Sequence, residues 1–164
     1  MNSIDRLVVD LAAALKARGW MMATAESCTG GLIAGACTDL AGSSDWFERG
    51  FITYSNRAKQ ELLNVKADSL RTHGAVSEAV AQEMAAGACH HAPVQASVAV
   101  TGVAGPGGGS DSKPVGTVCF AWSVGGQMSS QTMHFGGDRS AVRHATVRHA
   151  LQGLLERCRA DAAP

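Results

Sequence analysis

A serine stands ahead of a threonine and two glycines in Ala25-Glu26-Ser27-Cys28-Thr29-Gly30-Gly31. The segment lies where a short apolar run gives way to a helical pattern, so free backbone N–H groups and the helix dipole would favour an anion or a developing oxyanion there. A serine so placed could be a nucleophile. The segment is not the GxSxG elbow, because Ala25 and Thr29 occupy its glycine positions, and Ser27 and Thr29 could equally do no more than cap a helix. Tyr54-Ser55-Asn56-Arg57-Ala58-Lys59 leaves another apolar run and starts another helix, and Tyr54 is the single tyrosine of the chain. A lysine buried beside a serine could act as its base if desolvation brought its pKa from about 10.4 toward about 7 or 8. A solvated lysine at a helix start is the plain alternative.

Two further segments could hold a substrate. Thr101-Gly102-Val103-Ala104-Gly105-Pro106, with Gly107, Gly108 and Gly109 after it, could bring backbone N–H groups against a phosphate or a carboxamide. It fits neither GxGxxG nor the P-loop, since Ser110 stands at the third glycine position and Ser112 precedes Lys113. A flexible connection is the competing reading. Ser110-Asp111-Ser112-Lys113 satisfies SxxK, but in a Gly/Pro-rich loop rather than on a helix that would align the pair. Arg139 and Arg143 follow Gly136-Gly137-Asp138 at an i,i+4 spacing and could clamp a phosphate from one side, unless they are simply surface arginines. The six histidines form neither HExxH nor a Cys/His ligand pattern, so no metal site is expected.

These segments need a scaffold. Ile4, Leu7, Val8, Leu11 and Leu15 recur at helical steps before Gly19, which predicts an amphipathic helix over 4–18. Residues 20–25 read as a strand, Leu32, Ile33, Ala36 and Leu40 as a helix, 51–54 as a strand, and Val76, Val80, Met84 and Ala88 behind Ser77 as a helix. Val94 to Val100 alternates as a strand that runs into Thr101-Gly102. Residues 115–124 and 128–135 read as two strands joined by the hairpin signal Gly125-Gly126. Asp138 caps a last helix whose Val142, Thr146, Ala150, Leu154 and Cys158 share a face. Helices interleaved with strands predict an α/β fold, a three-layer α/β/α sandwich with a mixed β-sheet, in which polar residues at strand ends build the site.

With 164 residues the chain is expected to form one domain, 1–164. Its 14 Lys and Arg balance 14 Asp and Glu, so it carries no excess charge to drive nucleic-acid or membrane-surface binding. Five cysteines without a CxxC pair suit a reducing compartment, and we expect a cytoplasmic protein. No signal peptide and no uninterrupted apolar stretch of about 18 residues is present.

Taken together, Ala25 to Gly31, Ala41-Gly42-Ser43-Ser44, Gly50 to Lys59, Gly74-Ala75-Val76-Ser77-Glu78, Thr101 to Gly108, Lys113 to Val118 and Gly137-Asp138-Arg139 resemble, in order, the CinA C-terminal-domain family. The resemblance implies hydrolysis of the carboxamide of nicotinamide mononucleotide to nicotinate mononucleotide and ammonia, in pyridine-nucleotide salvage, with no metal or other cofactor. It carries over Ser27 as nucleophile, Lys59 as the group that activates it and Tyr54 close to both. Thr101, Gly102 and Arg143 are carried over as substrate contacts, and N–H groups around Thr29, Gly30 and Gly31 are our expectation for the oxyanion site. It further implies a small-molecule nucleotide as partner, no nucleic acid or membrane, and a homo-oligomer. Many family members carry a further N-terminal domain linked to nucleotide-pyrophosphate cleavage, an activity not expected of this chain. The alternative is a non-catalytic nucleotide-binding regulatory module that uses the same pocket.

Overall fold

A computed structural model describes residues 2–161. Met1 and residues 162–164 of the expected domain lie outside the described residues. The chain opens with α1 (Ser3–Ala17), whose Asn2 side chain accepts from the Asp5 N–H while Asp5 returns a bond to the Asn2 N–H, a capping box that fixes where the helix begins. There follow β1 (Met22–Glu26), α2 (Leu32–Thr38), a 3-10 turn over Ser43–Asp45, β2 (Phe47–Ile52), α3 (Asn56–Leu63), α4 (Ala67–His73), α5 (Glu78–His91), β3 (Ala96–Gly102), β4 (Thr117–Val124), β5 (Gln127–His134) and α6 (Arg139–Asp161). No helix among the described residues is long and apolar enough to cross a membrane.

The sheet runs β2-β1-β3-β4-β5. β1 pairs parallel with β2 and β3, whereas β3-β4 and β4-β5 are antiparallel, so the sheet is mixed. The β4-β5 hairpin turns on Gly125 and Gly126, both at positive φ, the conformation that a two-residue hairpin loop requires. Strand alternation sorts the side chains into two cores. Met22, Val98, Val100, Phe120 and Trp122 pack with α1, α2 and α6, while Ala23, Ala25, Ala99, Cys119 and Ala121 pack with α3 and α5. The three-layer expectation and the mixed sheet therefore both hold.

The two faces differ in thickness, and the difference positions the site. The face under α5 is built from alanines, and α5 answers with Ala81, Ala85, Gly87 and Ala88, so its backbone sits close to the strands and to α3. A Cβ built on Gly87 would lie 2.1 Å from the Leu63 carbonyl oxygen at the end of α3. Only hydrogen fits there, and α3 carries Lys59.

Several elements depart from the sequence reading, β1 among them, which starts at Met22 rather than residue 20. β2 occupies 47–52 rather than 51–54, because Glu48, Arg49 and Gly50 stand on a half-exposed edge strand and interrupt the apolar run. Tyr54 consequently falls in the loop after the strand. β4 starts at Thr117 rather than residue 115. The short helix α4 has no apolar periodicity and was not anticipated. It is held by Leu70 on the α5 core and by the bond from the Lys66 N–H to Glu83 Oε1 at 2.9 Å.

Replacing Gly87 by Ala should force α3 away from α5 at a cost of about 1–3 kcal/mol, the usual range for overpacking. Chemical denaturation measures the loss, and unchanged stability would mean that α3 is not held at this distance by close packing.

Candidate active site

The parallel strands β1, β2 and β3 end at one edge of the sheet, where Glu26 lies level with Ile52 and Val100. Chain leaving the carboxyl ends of parallel strands is where α/β folds collect their functional groups. Ser27, Tyr54, Thr101 and Gly102 all emerge there. A cavity of about 320 Å³ opens between them, bordered also by Cys28, Asn56, Lys59, Arg139, the linker Ala75-Val76 and the glycine loop. That volume suits a small ligand.

Lys59 projects from the second turn of α3 into the protein and is 1% exposed. Its Nζ lies 3.0 Å from Ser27 Oγ, 2.9 Å from the Thr53 carbonyl oxygen and 3.2 Å from the Tyr54 carbonyl oxygen. None of these partners is a carboxylate. Burial without a counter-charge disfavours the ammonium, and the lysine pKa is lowered from its ordinary value for that reason, with a small opposing effect from Cys28. The neutral amine has two N–H donors and one lone pair. In that form the two carbonyls, which can only accept, take the donors, and the lone pair is left for the Ser27 hydroxyl, which otherwise accepts from Nζ and donates to the Tyr54 carbonyl at 3.4 Å. That is the arrangement a base needs.

Ser27 is held by its own backbone, its N–H donating to Val100 at 3.1 Å. The loop behind it is organised by Glu26, which is wholly buried at the end of β1. Its Oε1 accepts from Thr29 Oγ1 at 2.5 Å, the Gly31 N–H at 3.2 Å and the Ile33 N–H at 3.0 Å, and its Oε2 accepts from the Ala34 N–H at 2.9 Å. One carboxylate thus satisfies the first turn of α2 and complements its dipole. Gly31 at φ +107 lets the chain turn into the helix. Glu26 carries no local signal in the sequence, because the N–H groups that donate to it lie five to eight residues downstream, outside any local capping pattern.

The expected site residues divide into two groups. Ser27, Lys59, Tyr54, Thr101 and Gly102 border the cavity. Thr101 is buried and turns its hydroxyl to the Ala75 carbonyl at 2.9 Å. Gly102 has no room for a side chain, since a Cβ would meet the Thr117 carbonyl oxygen and Val118 at 2.8 Å. Tyr54 presents its backbone carbonyl to Lys59, while its ring is 60% exposed and its hydroxyl accepts from Arg139 Nη2 at 3.0 Å.

Thr29, Gly30, Gly31 and Arg143 are elsewhere. Thr29 is bonded to Glu26, the Gly31 N–H is committed to the same carboxylate, and the Gly30 N–H donates to the Ser27 carbonyl at 3.0 Å. Arg143 donates to the Cys28 and Thr29 carbonyls, each at 3.1 Å, and clamps the Ser27 loop from behind. One turn back along α6, on nearly the same face but about 6 Å nearer the helix start, Arg139 borders the cavity and donates to the Gly105 carbonyl at 2.8 Å as well as to Tyr54. Spacing alone could not tell which arginine of the pair faces in.

Cys28 also borders the cavity, but burial pushes its thiol up to about 11, so beside Ser27 it stays a neutral thiol. Among the described residues no cluster of three His, Cys, Asp or Glu could hold a metal ion.

A mixed-sheet α/β/α sandwich with a serine–lysine contact at the strand ends defines the class of the fold and site. The CinA C-terminal domain family matches residues 4–158, and the chain belongs to that family. It is 53% identical over 153 residues to a nicotinamide-nucleotide amidohydrolase, PncC, of Enterobacter agglomerans, covering 93% of each chain. It is 50% identical over 156 residues to the PncC of Escherichia coli strain K12, covering 94% of each. The crystal structure of a competence damage-inducible protein A from Klebsiella pneumoniae superposes with a TM-score of 0.92 at 44% identity, covering 95% of this chain and 97% of that one.

Glu26→Gln keeps the size of the side chain but removes the charge that gathers these donors, and should lower stability by about 2 kcal/mol, the scale of a hydrogen bond to a charged group. Thermal or denaturant unfolding checks it. A variant as stable as the wild type would show that the carboxylate does not organise the loop.

Proposed function

We propose that the protein is a nicotinamide-nucleotide amidohydrolase that acts through Ser27 and Lys59. The observation that carries this reading is the 3.0 Å contact between the buried Lys59 amine and the Ser27 hydroxyl at the cavity, and the names of the relatives supply the substrate. Neutral Lys59 takes the Ser27 proton as Oγ attacks the carboxamide carbon. The resulting ammonium then protonates the departing nitrogen as the C–N bond breaks, releasing ammonia and leaving an acyl ester on Ser27. Water, deprotonated by the same amine, cleaves that ester to the carboxylate and restores the hydroxyl.

The oxyanion falls to a donor outside Thr29, Gly30 and Gly31. With Gly30 and Gly31 committed, the Cys28 N–H is the group next to the nucleophile that can serve. Arg139 takes the place of Arg143 at the phosphate. Both of its present acceptors, a carbonyl and a phenol, are uncharged, and a dianionic phosphate is the stronger partner. Thr101, Gly102 and the glycine loop wall the remaining space. The nucleotide is the partner of this site, and we further assign the chain to one domain, in a cytoplasmic homo-oligomer.

Incubation with nicotinamide mononucleotide should release ammonia. Binding seen as thermal stabilisation without ammonia would instead mean a non-catalytic nucleotide module. Ser27→Ala and Lys59→Ala should each cut kcat by about 10³-fold or more with the fold retained, and near-wild-type turnover in either would remove the pair from the mechanism. The active form carries the neutral amine, so kcat/KM should rise with pH. Because burial lowers the Lys59 pKa, the midpoint should lie below the ordinary value of about 10.4. Arg139→Ala should raise KM for the nucleotide about 10–100-fold, as expected for losing charge-assisted hydrogen bonds, while leaving the nucleoside without phosphate unaffected. An equal loss for both substrates would place the phosphate elsewhere.

A further inference from the structure

The glycine loop is not a slack connection. It leaves β3 and returns to β4 as a strap whose base is closed by bonds from the Val103 N–H to the Thr117 carbonyl at 2.9 Å and from the Gly116 N–H to the Val103 carbonyl at 2.8 Å. Within it a Cβ on Gly105 would lie 2.4 Å from Val115 Cγ1, and one on Gly109 2.8 Å from the Val115 backbone nitrogen, so the strap folds tightly on itself. Val103, Ala104, Gly105, Gly107 and Gly108 form one wall of the cavity. The far arm, Ser110-Asp111-Ser112-Lys113-Pro114, touches none of it.

Residues 106–112 are all exposed, yet Lys113 is half-buried. Its Nζ donates to the His73 carbonyl at 2.6 Å, the last carbonyl of α4, where the negative end of a helix favours a cation. Gly74 leaves room for that ammonium, since a Cβ there would stand 3.1 Å from Nζ. The anchor point continues directly into the opposite wall: Gly74 accepts from Ser77 Oγ at 2.8 Å, Ala75 accepts from Thr101, and Ala75 and Val76 border the cavity. The arm is stiffened beside the lysine, where the Lys113 N–H donates to Ser110 Oγ at 3.1 Å and the Ser110 N–H to the Lys113 carbonyl at 3.0 Å.

We propose that Lys113 is a positioning residue that staples the glycine strap to the α4–α5 linker and so sets the width of the substrate cavity from outside it. This rests on the amidohydrolase reading of that cavity. An untethered Gly-rich strap would sample many conformations, and substrate binding would have to order it at an entropic cost. The Ser27–Lys59 pair, carried on β1 and α3, does not depend on the strap. The staple therefore acts on substrate capture rather than on the chemical step. It also gives the SxxK pattern of Ser110 and Lys113 a structural rather than a catalytic sense.

The test compares Lys113→Met, which keeps the stem but loses the donor, with Lys113→Arg, which can still reach a carbonyl. For Lys113→Met, KM for nicotinamide mononucleotide should rise about tenfold with kcat within about twofold, the signature of lost binding without lost chemistry. Amide hydrogen exchange across residues 105–112 of the free protein should speed up while the melting temperature holds, and Lys113→Arg should return both toward wild type. Unchanged KM and unchanged exchange overturn the staple, as does a general loss of stability with exchange raised throughout the chain. If wild-type protein releases no ammonia, the amidohydrolase reading fails, and the exchange data still judge the tether.

Discussion

A lysine amine buried with no carboxylate beside it is the constraint on which the site depends. An ammonium in that position loses its water without gaining a counter-ion, whereas the neutral amine can satisfy two carbonyls and still offer its lone pair to Ser27. The environment therefore lowers the pKa of the amine and favours its neutral form. It does so through backbone groups of the segment that links β2 to α3, which are fixed by the fold and cannot swing away as a side chain could.

Holding Lys59 there requires that α3 come close and stay close. The alanine-built face of the sheet and Gly87 on α5 allow that approach. On the other side of the contact, Ser27 is locked by the β3 carbonyl, by Glu26 gathering the start of α2, and by Arg143 holding the Cys28 and Thr29 carbonyls. The last two of these anchors join a side chain to backbone groups of a different segment. The Ser27 hydroxyl and the Lys59 amine are thus positioned by two rigid supports, so the chemistry proposed for the pair needs little reorganisation. The cavity walls are tied less deeply, by Arg139 and Lys113 at the two sides of the glycine strap, which suits the part of the site that must admit and release a ligand.

The legible parts of the fold were those whose burial follows a local period. α1 and α6 present apolar stripes at helical steps, β3 alternates, and Gly125-Gly126 marks a hairpin, so each could be placed without knowing its neighbours. β2 and α4 were misplaced or unseen because their partners, not their own residues, hold them: an edge strand can carry Glu48 and Arg49, and α4 needs only one leucine on α5. The same divide runs through the site. Ser27 and Lys59 stand in segments whose composition marks a strand end and a helix start. Glu26, Gly87 and Lys113 carry no comparable mark, since what each does depends on a carbonyl or N–H group brought in from another element.

From the residues alone came the class of fold, the segments that carry chemistry and, by family likeness, the reaction they suggest, because periodicity and motif order are properties of the chain itself. Only the tertiary structure decided that Lys59 points inward to Ser27, that Arg139 and not Arg143 borders the cavity, and that the Gly30 and Gly31 N–H groups are already bonded. These are questions of direction and competition. A side chain's facing is set by which neighbours pack against its element, and a donor is free only if no other acceptor in the folded molecule has reached it first.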